Sequence, residues 1–227
     1  MEKRKIIFGD YDTAAHGWTL AAWQLSPAEQ KTNFVDKPGG DGSWDLSTAL
    51  TDGLPRYYDR ELSATLELST GDRLSRETII REMVNSLDGM RVNITLPDDP
   101  DHYVTGRLHV ARKYNNMAHA AVTVTATCNP WKYAATEKKH SAGFDSPNSY
   151  VSRAYTNTGR LPVVPNIKLS DRNGVAASAN IAFGDIVYNI TTGTYIFPDI
   201  VFMPGDNVLK YKGVGTLLLT YREAVLE

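Results

Sequence analysis

Carboxylates are the first residues in this chain that could do chemistry. Asp41 and Asp45 stand four apart in Pro38-Gly39-Gly40-Asp41-Gly42-Ser43-Trp44-Asp45. Two acids so placed could act as a general acid and base, or hold a cation. Turn chemistry accounts for the same residues: Gly39, Gly40 and Gly42 permit positive φ, and aspartates cap tight turns through their own backbone. A phosphate-cradling loop is excluded, because no Lys-Ser/Thr pair follows the glycines. A second acidic run, Pro97-Asp98-Asp99-Pro100-Asp101-His102, invites a metal. It lacks the glycine and the distal glutamate of a calcium loop and reads as a solvated turn. His109 and His119 fall on the polar face of a predicted hairpin, with no third ligand near in sequence, and read as solvated or interface residues. Cys128 is the only cysteine, sits on an apolar face and reads as a buried thiol. There is no Gly-x-Ser-x-Gly nucleophile elbow. The residues point to no enzyme, no cofactor and no metal site.

The elements that carry these residues are mostly strands. In Arg60–Leu68, Leu62, Ala64, Leu66 and Leu68 alternate with polar residues, which puts them on one face of a strand. The period then changes: Ile79, Ile80, Met83, Val84 and Leu87 share one face of a helix predicted over about 76–87. Ser75 stands as its N-cap, Leu74 and Ile79 as a hydrophobic staple, Glu77 and Arg81 as an exposed ion pair, and Gly89 as the left-handed stop. Ile79, Ile80, Met83 and Val84 are expected under the sheet. Arg91–Leu96 returns as a strand, and two more alternating runs follow through Cys128.

A polar stretch, Ala134–Asn148, separates this half from a series of short strands with turn signals at Asn173-Gly174, Thr192-Gly193, Pro204-Gly205-Asp206-Asn207 and Lys212-Gly213. The expected organisation is a β-domain over 1–133, a linker over 134–148 and a β-sandwich over 149–227. At 227 residues, 42% hydrophobic and 22% charged, the chain can build two cores. A formal net charge of -2 argues against a general nucleic-acid binder. After the basic start Met1–Lys5, only Ile6-Ile7-Phe8 is apolar, so no secretory signal peptide and no membrane span are expected. Cytoplasmic synthesis follows from that reading.

The turn residues also carry a family likeness. Pro38-Gly39-Gly40-Asp41-Gly42 through Asp45-Leu46-Ser47, then Tyr58-Asp59-Arg60 and Asn129-Pro130-Trp131-Lys132-Tyr133, resemble the first domain of siphophage and prophage distal tail proteins. Asn157-Thr158-Gly159, Pro165, Pro204-Gly205-Asp206-Asn207, Gly213-Val214-Gly215-Thr216 and Tyr221–Leu226 resemble that family's galectin-like second domain. The resemblance implies a mainly β fold: an N-terminal β-sandwich domain with one helix, then a galectin-like or jelly-roll β-sandwich. It implies a virion structural protein of the tail tip, a baseplate component without an inserted carbohydrate-binding module. Its partners would be copies of itself in a ring, usually a hexamer, then the tail tube protein, the tail-associated hub or fibre protein and a receptor-binding protein. DNA would pass through the lumen without specific binding. Gly39, Gly40, Asp41, Gly42 and Asp45 are then expected at an assembly interface. The alternative is a β-sandwich that binds host glycans through Tyr150, Tyr155, Tyr188 or Tyr195.

Overall fold

The structure is a computed structural model and describes residues 4–51 and 53–227, so Met1–Lys3 of the basic start lie outside the described residues. It is mainly β, with one helix among the described residues and curled sheets of the β-sandwich kind. Two compact units divide between Lys132 and Tyr133, with Leu226 counted in the first and Glu227 in the second.

The first unit holds β1 (Ile7–Phe8), β2 (Tyr11–Asp12), β3 (Thr19–Leu25), β4 (Phe34–Asp36), β5 (Ser43–Asp45), β6 (Arg60–Leu68), α1 (Arg73–Leu87), β7 (Arg91–Leu96), β8 (Asp99–Asn115) and most of β9 (Ala120–Ala134). The main sheet runs β2-β1-β7-β8-β9-β6-β3, while β4 and β5 form a separate two-stranded sheet. The alternation in β6 sets its register. Leu62, Ala64, Leu66 and Leu68 lie opposite Ala126, Val124, Val122 and Ala120 of β9, and all eight are buried. A slip of one residue would put all four β6 side chains in water. Ile80, Met83 and Leu87 of α1 join that core, whereas Ile79 and Val84 are only half-buried against it.

The helix begins three residues earlier than the apolar pattern indicates. Asp72 is the N-cap, its carboxylate accepting from the Ser75 N–H at 2.7 Å. A charged oxygen at the positive end of the helix dipole outcompetes the serine hydroxyl. Leu74 is 73% exposed, so the expected staple does not form. Glu77 pairs with Arg112 across to β8 rather than with Arg81. Gly89 does take positive φ, 76°, after Asp88 closes the last turn onto Val84 O.

The second unit holds β10 (Lys138–Asn157), β11 (Asn166–Ser170), β12 (Ser178–Phe183), β13 (Ile186–Thr191), β14 (Gly193–Ile196), β15 (Gly205–Tyr221) and β16 (Ala224–Val225). The expected linker is therefore corrected: most of 134–148 is the first half of a 20-residue strand. Its polarity misleads because only one residue in two is buried there, Ala142 and Phe144 facing inward between exposed neighbours. The expected break at Lys212-Gly213 is likewise a bend inside one strand. β15 pairs with β12 through 210–214 and with β11 through 216–220, and β10 follows both halves on the other side. Gly213 (φ 124°) and Gly215 (φ 155°) make that corner, opposite the shift in β10 between Ser146 and Val151. Ile167, Leu169, Ile181, Phe202, Leu209, Leu217 and Leu219 form its core.

Candidate functional site

Residues 26–59 leave the main sheet between β3 and β6 as an arm. Its root is clamped: Arg60, itself buried, donates through Nε to Ser26 O at 2.6 Å and through Nη1 to Leu226 O at 2.8 Å. The Ser26 N–H donates to Glu61 O, and the Glu61 N–H donates in return to the Ser26 hydroxyl, each at 2.8 Å. A stalk follows, in which Lys31 N–H donates to Arg56 O and Tyr58 N–H to Glu29 O. The Lys31 ammonium lies 5.1 Å over the Tyr58 ring. Beyond it, Val35 faces Trp44 across the β4–β5 hairpin. Every residue from Lys31 to Leu46 is exposed, including Phe34 (60%) and Trp44 (52%).

Gly39, Gly40, Asp41 and Gly42 make the turn of this hairpin, and Asp45 ends its second strand. Gly39 and Gly42 adopt φ 71° and 73°, while Gly40 does not need positive φ. Lys37 N–H closes the turn onto Gly42 O, and Gly40 N–H onto Lys37 O. Asp45 accepts from the Ser47 N–H at 2.9 Å, and contacts with Ser47 hold its carboxyl below the usual carboxylate range. That engages Asp45 in a backbone turn and favours its charged form. The loop presents aspartates beside uncovered apolar side chains.

The other candidates are dispersed. The turn between β7 and β8 is Pro97-Asp98 alone, and Asp99–His102 already belong to β8. Asp99 bridges His102 (2.8 Å) and Lys132 (3.0 Å); burial works to raise its pKa, but these two partners hold it below the ordinary value. Asp98 meets Arg4. No group of three metal-ligating side chains forms among the described residues. His109 sits beside Asp88 at the C-terminal end of α1, whereas His119 N–H bonds Asn116 in the turn by the helix start, so the two histidines do not meet. Cys128 is buried against Gly106, and burial pushes its thiol up to about 11. In the second unit, Tyr155 is buried, Tyr188 and Tyr195 stack on Phe197, and Tyr150 holds Lys212 over its ring.

Sequence reasoning passed over Arg76. Its side chain is 1% exposed and donates to Gly71 O (2.6 Å), Asn116 O (2.8 Å) and Met117 O (3.1 Å). It pins the β8–β9 turn against the first turn of α1. Its position on the helix face beside Ile80 and Met83 was the available signal.

No protein-family model matches the sequence, and no curated protein matches it significantly. Among solved structures, the chain is similar to the crystal structure of the Dit protein (gp 19.1) of phage SPP1, a paradigm of the hub adsorption apparatus in phages that infect Gram-positive bacteria. The TM-score is 0.68 at 17% identity, over 96% of this chain and 98% of that one. The chain thus has the fold of a phage distal tail protein along nearly its whole length.

Proposed function

We propose that this chain is a non-enzymatic structural protein of a phage tail tip. Copies of it close into a ring, six to the turn. The ring joins the end of the tail tube to a tail-associated hub or fibre protein and lines the passage for DNA. The second unit is the attachment point for a receptor-binding protein. The protein is made in the host cytoplasm and ends in the virion. The observation that carries this reading is a fold likeness spanning both units of a distal tail protein. Physical features of the chain support it. A ring needs heterologous contacts, one patch meeting a different one on the next copy. The arm supplies such a patch, because a two-stranded hairpin with uncovered aromatic residues is marginal in water by itself. A net charge of -2 suits a conduit through which DNA slides without being gripped.

The test is the mass of the protein in solution, followed by negative-stain imaging. A closed ring is expected, and deleting Gly39–Asp45 should lower its population. A protein that stays monomeric at high concentration, alone and with purified tail tubes, sinks the proposal. Unchanged rings and unchanged tube docking in the deletion variant remove the loop from it.

A further inference from the structure

The arm needs a receiver, and the first unit displays one candidate surface of matching character. Leu74 on the first turn of α1 is 73% exposed, and Met117 in the β8–β9 turn is 88% exposed. The same group binds both segments: Arg76 donates to Gly71 O and to Met117 O, and Asn115 Nδ2 donates to Arg73 O at 3.2 Å. Asn116 Oδ1 takes the N–H groups of Ala118 and His119, fixing the turn itself. Two large apolar side chains in water are thus held on a rigid mount, which is the form of a preorganised anchor.

Three features match this knob to the arm. Both are apolar, and the thioether of Met117 suits an aromatic ring such as Trp44. Their charges are opposite: Asp36, Asp41 and Asp45 outnumber Lys37 on the hairpin, while around the knob the exposed Arg73 and Lys113 outnumber Asp72, and Glu77 is paired with Arg112. They also stand at opposite ends of one strand. The arm root is tied to Arg60 and Glu61 at the start of β6, and the knob follows Leu68 at its end, roughly 27 Å away along nine extended residues. A head-to-tail ring needs its two halves so separated.

We infer that the hairpin of one copy seats on the Leu74–Met117 knob of the next copy. This rests on the ring reading above and names the second half of its contact. The test uses full-length single-cysteine additions, Trp44→Cys and Met117→Cys; the native Cys128 is buried. Mixed under a mild oxidant, the two variants should form a disulfide-linked pair, while each alone stays largely uncrosslinked. Leu74→Asp with Met117→Asp should raise the concentration needed for assembly at least about tenfold with unchanged thermal stability. Rings of normal mass with no Trp44→Cys to Met117→Cys crosslink overturn this inference and leave the ring standing. Self-crosslinking of Met117→Cys overturns it too, since that contact is isologous. Intact rings that no longer join tails also overturn it, assigning the knob to another tail protein. Monomers under every condition overturn both readings.

Discussion

Gly213 approaches Ser178 so closely that a Cβ placed on it would stand 2.1 Å from the Ser178 carbonyl oxygen. Gly213 is also at φ 124°. The strand β15 turns its corner here, and neither the backbone angle nor the space admits a side chain. Gly213→Ala should cost about 3 kcal/mol or more, from strain and overlap together. Gly174, also at positive φ but with open space around it, provides the control: Gly174→Ala should cost only about 1 kcal/mol. Urea unfolding midpoints of the two variants test the difference. Equal midpoints would show that the corner relaxes.

Removing Arg76 leaves three carbonyl oxygens without their donor and opens a gap under the first turn of α1. Arg76→Ala should destabilise the first unit by about 3 kcal/mol. Arg76→Lys keeps the charge but loses the planar fork that reaches three oxygens, and should recover only part of the loss. Thermal unfolding of the three proteins provides the measurement. If Arg76→Lys matches wild type, a point charge is enough there.

Acid should loosen the second unit through Glu223. Burial acts to raise the pKa of this carboxyl, but Lys138 at 2.8 Å and the N–H and hydroxyl of Thr158 hold it below 4.5. A folded pKa below the unfolded one means that the contribution is present above the unfolded value and is lost as pH falls through the folded one. Glu223→Gln should therefore lower stability at pH 7, with a difference that shrinks below about pH 4. Denaturation midpoints across pH 3–7 test it, and a difference that stays constant with pH would assign the effect to shape alone.

Cys128 should be silent to thiol reagents in the folded protein. A pKa of about 11 leaves on the order of one thiolate in a thousand at pH 8, and the sulfur is buried besides. Labelling should follow unfolding of the first unit, at a rate that tracks urea concentration. Rapid labelling without denaturant would contradict the burial.

Period-two and period-3.6 patterns were legible where one face is apolar and the other polar. The β6 register follows from Leu62, Ala64, Leu66 and Leu68, and the core face of α1 from Ile80, Met83 and Leu87. Positive φ was legible at Gly39, Gly42 and Gly89. Continuity was not: Gly213 and Gly215 look like a turn in sequence, and only the backbone of Ser178 and the side chain of Leu169 close beside them make the glycines a bend within one strand. The first half of β10 hid in the same way, because its exposed face has the composition of a linker. Of the proposed assembly surface, the turn of the arm hairpin was legible from the Gly39, Gly40 and Gly42 spacing. The knob was not, since Arg76 finds its partners 40 and 41 residues away.

The pairing of β10 with β15 has a consequence for synthesis. Lys138 pairs with Tyr221 and Asn157 with Gly205, so each paired β10 residue waits for a partner made much later. At roughly 5–20 residues per second, β10 is out of the ribosome for several seconds with an unpaired edge. The polar run Ser146-Pro147-Asn148-Ser149, with its proline, makes that edge a poor template for a neighbouring nascent chain. Pairing of β10 therefore has to wait until β15 is made.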